Sequence, residues 1–311
     1  MHNRLMSLKY RFEFFLFQSL LFLFGIFPKR LVVALGRGFG SFCYFLGIRR
    51  SVVETNLEIA FGDSLSEPER KQLTKRVYKN VASVFFEVLL MKHISPEQLG
   101  KYIHIEGLEA LQEAIAEGKG VTVAGSHFGH WELLTAGIAQ ATESFGSSFQ
   151  GYAGKQKNSL FDDSLNGIRQ KFGMKTITKS KAATRQMLKV LRKKEVLGIL
   201  GDLNVPHDSL FVEFFGKKAA YGTGLPTFTV LKKNPLFFAW VVRKGPLQHQ
   251  GHIIRLNYEL TGDQEKDVAH VASLVSQQLE KVIRENPDHY FWFNRRWKTR
   301  PADEPKENIY G

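Results

Sequence analysis

Cysteine is almost absent from this 311-residue chain: Cys43 stands alone, which excludes an internal disulfide and any zinc site built on cysteine. Acid is also scarce. There are 30 Asp and Glu against 43 Lys and Arg, a formal charge of +13, and an isoelectric point near 9.7. That excess points to an anionic partner: nucleic acid, a membrane surface or an acidic protein. No uninterrupted apolar run of spanning length occurs either. The longest, Phe14 to Phe27, reads FFLFQSLLFLFGIF and is broken by Gln18 and Ser19. As a helix its fourteen residues extend about 21 Å, against about 30 Å of bilayer hydrocarbon. Internal repeats and low-complexity tracts are missing too. What the chain does have is 43% hydrophobic residues, enough to exclude disorder and to fill one large domain or two small ones.

Charge and grease coincide at one end. Residues 1–50 hold eight basic residues, one acid (Glu13) and ten of the 26 phenylalanines. Arg4, Lys9 and Arg11 precede the apolar run, and Lys29, Arg30 and Arg37 follow it. Such flanks suit a helix lying in the interface of an anionic leaflet, or a tilted anchor; the plainer alternative is a buried core helix. A cleaved signal peptide fits less well, because Glu13 and bulky phenylalanines open the run and no small-residue cleavage site follows. Residues 1–50 are therefore expected to form a membrane anchor or interfacial segment.

Downstream, Val77, Val81, Val84, Phe85, Val88 and Leu89 recur at helical spacing, and Ser66-Glu-Pro-Glu is a helix start. A helix over Leu108–Ala116 ends at Gly118 and Gly120. From there the pattern alternates. Strands are expected at 121–126, 148–153, 175–177, 196–200, 236–243 and 251–256, with helices at 132–140, 159–172, 182–192, 224–233 and 264–285. This predicts an α/β fold: a layered sheet flanked by helices, with a helical, membrane-associated N-terminal segment. The expected organisation is 1–50 anchor and 51–311 catalytic domain, helical over 51–118 and α/β over 119–311.

The stretch Gly125–Glu132, GSHFGHWE, carries the chemistry. It follows a buried strand at its carboxyl end, where open α/β sheets hold their active sites. With His127 in the loop and Glu132 in the first helical turn, the two are able to meet. A carboxylate on one imidazole nitrogen fixes the tautomer and makes the other a general base for an alcohol. The plain alternative is a capping histidine and an acidic first-turn residue. Ser126 directly follows Gly125, so this is not a G-x-S-x-G nucleophile elbow. His127, His130 and Glu132 lack the H-E-x-x-H spacing of a metal site. Gly36–Gly40, GRGFG, lacks the preceding strand and the spacing of a dinucleotide loop. The cluster around Arg295 to Arg300 is the one candidate nucleic-acid surface.

These blocks, in order, resemble the late acyltransferases of lipid A biosynthesis, relatives of the glycerolipid acyltransferases that share an H-x4-D/E dyad. Arg50, Val53, Asn56 and Leu57 with Ala60 and Phe61 look like an early R-x-x-V-x-x-N-L-x-x-A-F segment. The run His127–Glu132 looks like H-x-G-N-W-E, with His130 in place of asparagine. Asn158 to Asp162, then Arg169 and Gly173, resemble N-P-L-x-D…R…G, with Ser159 replacing proline. Asp202, the Val212–Gly216 run, and Tyr290–Pro301 (YFWFNRRWKTRP) complete the match.

The resemblance implies a glycerolipid-acyltransferase-like sheet and an O-acyltransferase at the cytoplasmic face of a bacterial inner membrane. Its donor would be an acyl carrier protein thioester (or acyl-CoA) and its acceptor a hydroxyl of a phosphorylated lipid A precursor. It gives His127 as base, Glu132 as its partner, Arg169 as oxyanion stabiliser and Asp202 as an orienting or binding residue. Asn158, Arg295, Arg296, Lys298 and Arg300 are the expected substrate-binding residues, arginine suiting bidentate phosphate contacts. Phe128 and Trp131 are candidates for an acyl groove. No metal or redox cofactor is expected, nor an acyl-enzyme, and the expected partners are an anionic membrane, the lipid and the carrier, not nucleic acid. The alternatives are a relative acting on another glycolipid, phospholipid or aminolipid, a non-catalytic membrane-associated binding protein, and, remotely, a basic nucleic-acid-binding module.

Overall fold

Helices dominate the first ninety residues, as the 3.6-residue spacing requires. The computed structural model describes residues 2–207, 209–304 and 308–311, with side chains from residue 8 onward; the Arg4 side chain lies outside that range. α1 (His2–Ile26), α2 (Lys29–Phe45), α3 (Arg50–Phe61) and α4 (Glu67–Leu90) come first. α4 begins where expected: the Ser66 N–H donates to the Glu69 carboxylate at 2.8 Å, and Pro68 occupies the first turn, where its missing N–H costs nothing. The GRGFG stretch has a packing purpose. A Cβ on Gly40 would lie 2.4 Å from the Tyr78 carbonyl oxygen, and one on Gly36 3.1 Å from the Ser83 Cα, so these glycines let α2 press against the backbone of α4.

After short 3₁₀ turns at Met91–His93 and Pro96–Lys101 come β1 (Ile103–Glu106) and α5 (Leu108–Ala116). The alternating segment follows: β2 (Val121–Gly125), α6 (Trp131–Ser144), β3 (Phe149–Ala153), α7 (Ser159–Lys171), β4 (Lys175–Thr178), α8 (Ala183–Arg192) and β5 (Val196–Leu200). β6 (Ser209–Phe214) and β7 (Lys217–Gly222) form a separate hairpin. α9 (Gly224–Lys232), β8 (Leu236–Gly245), β9 (Gln248–Leu256) and α10 (Gln264–Glu285) finish the fold before a 3₁₀ turn at Pro287–His289. Seven strands make one sheet in the order β1-β9-β8-β2-β5-β3-β4, parallel throughout except for the β8–β9 hairpin.

Both faces are covered, so the central strands read as apolar runs. Val121, Val123, Val196, Phe237 and Ala239 pack with α5 and α6 on one side. Ala124, Leu197, Leu236 and Phe238 pack with α8, α9 and α10 on the other. Thr122 is the polar exception among them, and its hydroxyl is paired with the Thr229 hydroxyl at 2.9 Å. Two features depart from the sequence reading. β1 lies inside the stretch expected to be helical over 51–118, because four residues are too few to display a period. The β6–β7 hairpin falls outside the expected strands; it closes through the two-residue turn Phe215-Gly216, both with positive φ, and packs Val212, Phe214 and Ala219 against α10.

The N-terminal helices turn grease outward. Fifteen of the eighteen exposed large hydrophobic side chains among the described residues fall within 8–48, including Phe12, Phe15, Phe22 and Ile26 on α1 and Leu35, Phe39, Phe42 and Phe45 at α2. Scattered exposed leucines are ordinary, but a clustered set is not. Inward, Phe17 of α1 meets Phe161 of α7 edge to face at 4.6 Å, and Phe24 meets Phe86 of α4. Among the described residues no single helix is long and apolar enough to cross a membrane; α2 and α3 together pass by length and composition but are bent by 92°.

Candidate active site

Strand register builds the centre of the site. β2 and β5 are parallel neighbours with Gly125 opposite Leu200. Two residues beyond each strand end stand His127 and Asp202, and they meet: the His127 Nδ1 lies 2.8 Å from Asp202 Oδ1, and the His127 backbone N–H donates to Asp202 Oδ2 at 3.0 Å. A carboxylate only accepts, so Nδ1 carries the proton and Nε2 keeps its lone pair. Burial alone would lower the His127 pKa. The Asp202 charge and hydrogen bond, with the Glu132 charge, outweigh it and raise the imidazole above its usual value. Burial would raise Asp202, but His127 and the backbone N–H hold it below the carboxylate range.

Glu132 has a different partner from the one the spacing suggested. Both its carboxylate oxygens accept from Arg169, Oε2 from Nε at 2.9 Å and Oε1 from Nη2 at 2.5 Å. Arg169 projects from the last turn of α7 and also donates to Asn166 Oδ1 at 3.3 Å. Three of five guanidinium N–H groups are thus engaged, leaving donors for a ligand. Burial would lower the Arg169 pKa, and Glu132 more than offsets that, so its charge is fixed. The His127 ring therefore donates to Asp202, while Glu132 holds Arg169 and acts on His127 through its charge. Sequence spacing missed this because Asp202 is near only through strand pairing.

Beside these groups, at the carboxyl ends of β2, β5 and β3, lies a cavity of about 730 Å³. His127, Glu132, Arg169 and Ser126 line it, together with an apolar set that includes Val123, Leu134, Ile138, Phe149, Met174 and Ala239. Glycines in β3 and β5 let that set lie against the sheet: a Cβ on Gly198 would come 2.3 Å from Phe149 Cζ, and one on Gly151 2.4 Å from Met174 Cε. Trp131 is a wall residue, as expected. Phe128 is not; it is buried and stacks on the His289 ring at 5.5 Å.

A histidine held by a buried carboxylate, beside a cavity with a largely apolar wall, suits transfer of an acyl chain to an alcohol, and comparison with known proteins agrees on acyl transfer. Residues 2–299 match the family model described as bacterial lipid A biosynthesis acyltransferase. The chain belongs to that family. Relatives include the lipid A biosynthesis lauroyltransferase of Escherichia coli (strain K12), 25% identical over 283 residues that cover 89% of each chain. The palmitoleoyltransferase of the same strain is 24% identical, covering 89% of this chain and 88% of its own. The myristoyltransferase is 23% identical, covering 82% and 76%. The protein is thus an O-acyltransferase of lipid A biosynthesis type.

Within this acyltransferase the blocks quoted from the sequence are tied to one another. Asn56 of α3 donates through Nδ2 to the carbonyls of Trp292 and Asn294, both at 2.7 Å, and accepts from the Tyr310 hydroxyl. The C-terminal segment in turn braces the His127 loop: Phe291 N–H donates to the His127 carbonyl at 2.9 Å and the Tyr290 hydroxyl to the Asp202 carbonyl at 3.2 Å. His130 caps α6, its Nδ1 accepting from the Leu133 N–H at 3.3 Å, the service an asparagine oxygen gives at an N-cap. Burial is the chief reason its pKa falls to about 3, which keeps that nitrogen an acceptor.

The expected substrate-binding residues lie elsewhere, and none of them lines the cavity. Asn158 caps α7 and donates to the Tyr10 carbonyl at 2.9 Å, fastening α7 to α1. Arg296 is buried, donates to the Ala220 carbonyl at 2.5 Å and sits 5.3 Å from the Phe214 ring. Arg300 is engaged by the Lys218 carbonyl and Glu304, Arg295 faces the Tyr310 ring, and Lys298 is exposed. The physical reason is composition: the buried aromatics Tyr290, Trp292 and Trp297 pull that segment into the core, and Arg296 and Arg300 follow to satisfy carbonyls of β7.

Gly129 fixes the loop. Its φ is +57°, and a Cβ there would lie 2.0 Å from the Val241 carbonyl oxygen. Gly129→Ala is expected to lower stability by about 1–3 kcal/mol from backbone conformation, more with the clash, and to reduce turnover further by shifting His127. Denaturant unfolding and the transfer rate, measured on the same sample, check both parts.

Proposed function

We propose that this enzyme moves a fatty acyl chain from the thioester of an acyl carrier protein to a hydroxyl of a phosphorylated lipid A precursor, on the cytoplasmic side of a bacterial inner membrane. The observation that carries this reading is a histidine with one nitrogen held by a buried carboxylate, lining a cavity of about 730 Å³ whose wall is largely apolar. His127 Nε2 takes the proton of the acceptor hydroxyl as its oxygen attacks the thioester carbonyl. Arg169 faces the tetrahedral oxyanion with its remaining donors, and Glu132 keeps the guanidinium in place. Collapse of the intermediate breaks the C–S bond, and the leaving thiolate takes the proton back from the imidazolium. Ester and free thiol are the products, with no acyl-enzyme. The acyl chain lies along Leu134, Ile138, Phe149 and Met174.

The exposed apolar sides of α1 and α2, with Lys9, Arg11, Arg30 and Arg37 beside them, support seating in an anionic leaflet rather than spanning it. Such a seat brings the acceptor lipid to the cavity without extracting it into water.

The test is transfer by the purified protein from acyl carrier protein thioesters of graded length to a lipid A precursor in mixed micelles, read by mass spectrometry. Formation of the secondary ester supports the reading, and inertness toward that acceptor with turnover of another lipid would replace the acceptor. In the same assay Arg169→Ala is expected to lower kcat by about 10²–10³-fold with a much smaller change in KM. An equal rise in KM with kcat intact would move Arg169 from oxyanion stabilisation to ground-state binding.

A further inference from the structure

The twenty residues 175–194, KTITKSKAATRQMLKVLRKK, hold eight basic side chains and no acid. The fold brings the first part of this run to the cavity. β4 ends at Thr178, so Lys179 and Lys181 lie at the carboxyl edge of the parallel strands, on the same edge as His127 and Asp202. Lys179 and Thr184 line the cavity itself. Arg185 follows on the first turn of α8, and Lys155 and Lys157 join from the neighbouring loop between β3 and α7. All five cations are exposed, and among the described residues none of them is ion-paired. The acids nearest in the chain are Asp162 and Asp163 of α7, and Asp162 already accepts from the Gln156 N–H at 3.1 Å.

The character of this surface separates it from the N-terminal one. α8 buries its apolar side, Ala183, Met187, Val190 and Leu191, and gives solvent Arg185, Gln186, Lys189 and Arg192. No large hydrophobic side chain between Leu160 and Leu231 is exposed among the described residues. A helix that enters a bilayer interface needs a free apolar side, and α8 has none. Cations spread over two loops and a helix, all in water, complement a broad acidic protein face.

We propose that Lys155, Lys157, Lys179, Lys181 and Arg185 form the docking surface for the acidic acyl carrier protein; this rests on the thioester-donor reading above. β4 is three strand positions from β2, about 14 Å at the usual strand spacing. A thioester on an extended arm covers that distance while the body of the carrier stays outside on the cations.

The experiment pairs two donors with the same dodecanoyl chain: acyl carrier protein and uncharged S-dodecanoyl-pantetheine. The variant is the triple charge reversal Lys157→Glu, Lys181→Glu, Arg185→Glu. It is expected to lose about tenfold or more in kcat/KM with the carrier donor and to keep its rate with the pantetheine donor. Its Kd for the labelled carrier should rise by a similar factor, and raising salt should weaken wild-type binding while leaving the variant nearly flat. Equal loss with both donors, no loss with either, or a loss that tracks only the amount of anionic lipid in the acceptor micelles would each overturn the docking surface. Binding is read without turnover, so a wild type that binds the carrier through these residues yet transfers nothing would fail the proposed reaction and not the surface.

Discussion

His127→Ala is expected to lower kcat for acyl transfer by about 10²–10⁴-fold. It also leaves the buried Asp202 carboxylate with the backbone N–H alone, so a lower unfolding midpoint accompanies the lost rate and the assay is run well below it. Asp202→Asn is the sharper probe. Asp202 accepts two bonds at once, from the His127 ring and from the His127 backbone N–H, one on each oxygen. An amide has only one accepting oxygen, so the substituted side chain keeps one bond and turns an NH₂ toward the other donor. The plateau of kcat should fall because the tautomer and ring are no longer held. The pH dependence moves as well. A general base works deprotonated, so wild-type kcat rises with pH through the His127 pKa, which stands above its usual value. Without the Asp202 charge, burial is left to lower that pKa, and the rising limb shifts to lower pH. A full rate in His127→Ala, or an Asp202→Asn limb that does not move, would remove the pair from the mechanism.

Legibility in the sequence followed distance along the chain. Strands such as 121–125 and 196–200 are continuous apolar runs, and helices such as α10 show their period plainly, so the layered α/β plan was readable. The His127 loop was readable for the same reason, since its position after a buried strand is a local fact. Its partner was not. Asp202 is 75 residues away and reaches His127 only because β2 and β5 pair in a particular register. Glu132 and Arg169 were both singled out, but their bond to each other depends on the fold setting the last turn of α7 beside the first turn of α6, which no periodicity encodes. The C-terminal arginines misled in the opposite sense. Charge alone suggests a ligand, whereas Trp292 and Trp297, both fully buried, carry Arg296 inside with them. The basic run at 175–194 acquired meaning only once its strand ended beside the cavity.

Glu87→Ala is expected to destabilise the fold by about 3–5 kcal/mol, the largest single effect on stability that the structure supports. Glu87 is 2% exposed on α4, and its carboxylate takes both terminal nitrogens of Arg243 from β8, at 2.6 and 2.7 Å. His249 stands 3.4 Å from the same carboxylate, and Arg243 Nε donates to Asn80. Removing the carboxylate leaves a guanidinium buried with no counter-charge. The paired variant Glu87→Leu with Arg243→Met should recover most of the loss, since neither charge is then stranded. The pH dependence identifies the cause. Burial would raise the Glu87 carboxyl, but His249 and Arg243 hold it at about 2, below the ordinary 4.5. A depressed carboxylate contributes stability that is present above 4.5 and lost as pH falls toward 2. Buried His130, held near 3 against an ordinary 6.5, adds a loss that begins higher on the pH scale, as pH falls below 6.5. Urea unfolding across this range should show both steps in the wild type and only the histidine step in Glu87→Ala. The consequence reaches catalysis through the backbone. The Arg243 N–H donates to His289 Nε2 at 3.0 Å, and the His289 carbonyl accepts from Gly129 at 2.9 Å, two residues from His127. The ion pair that joins α4 to the sheet therefore also supports the loop that aims His127, and Glu87→Ala should lose turnover at temperatures below its unfolding midpoint.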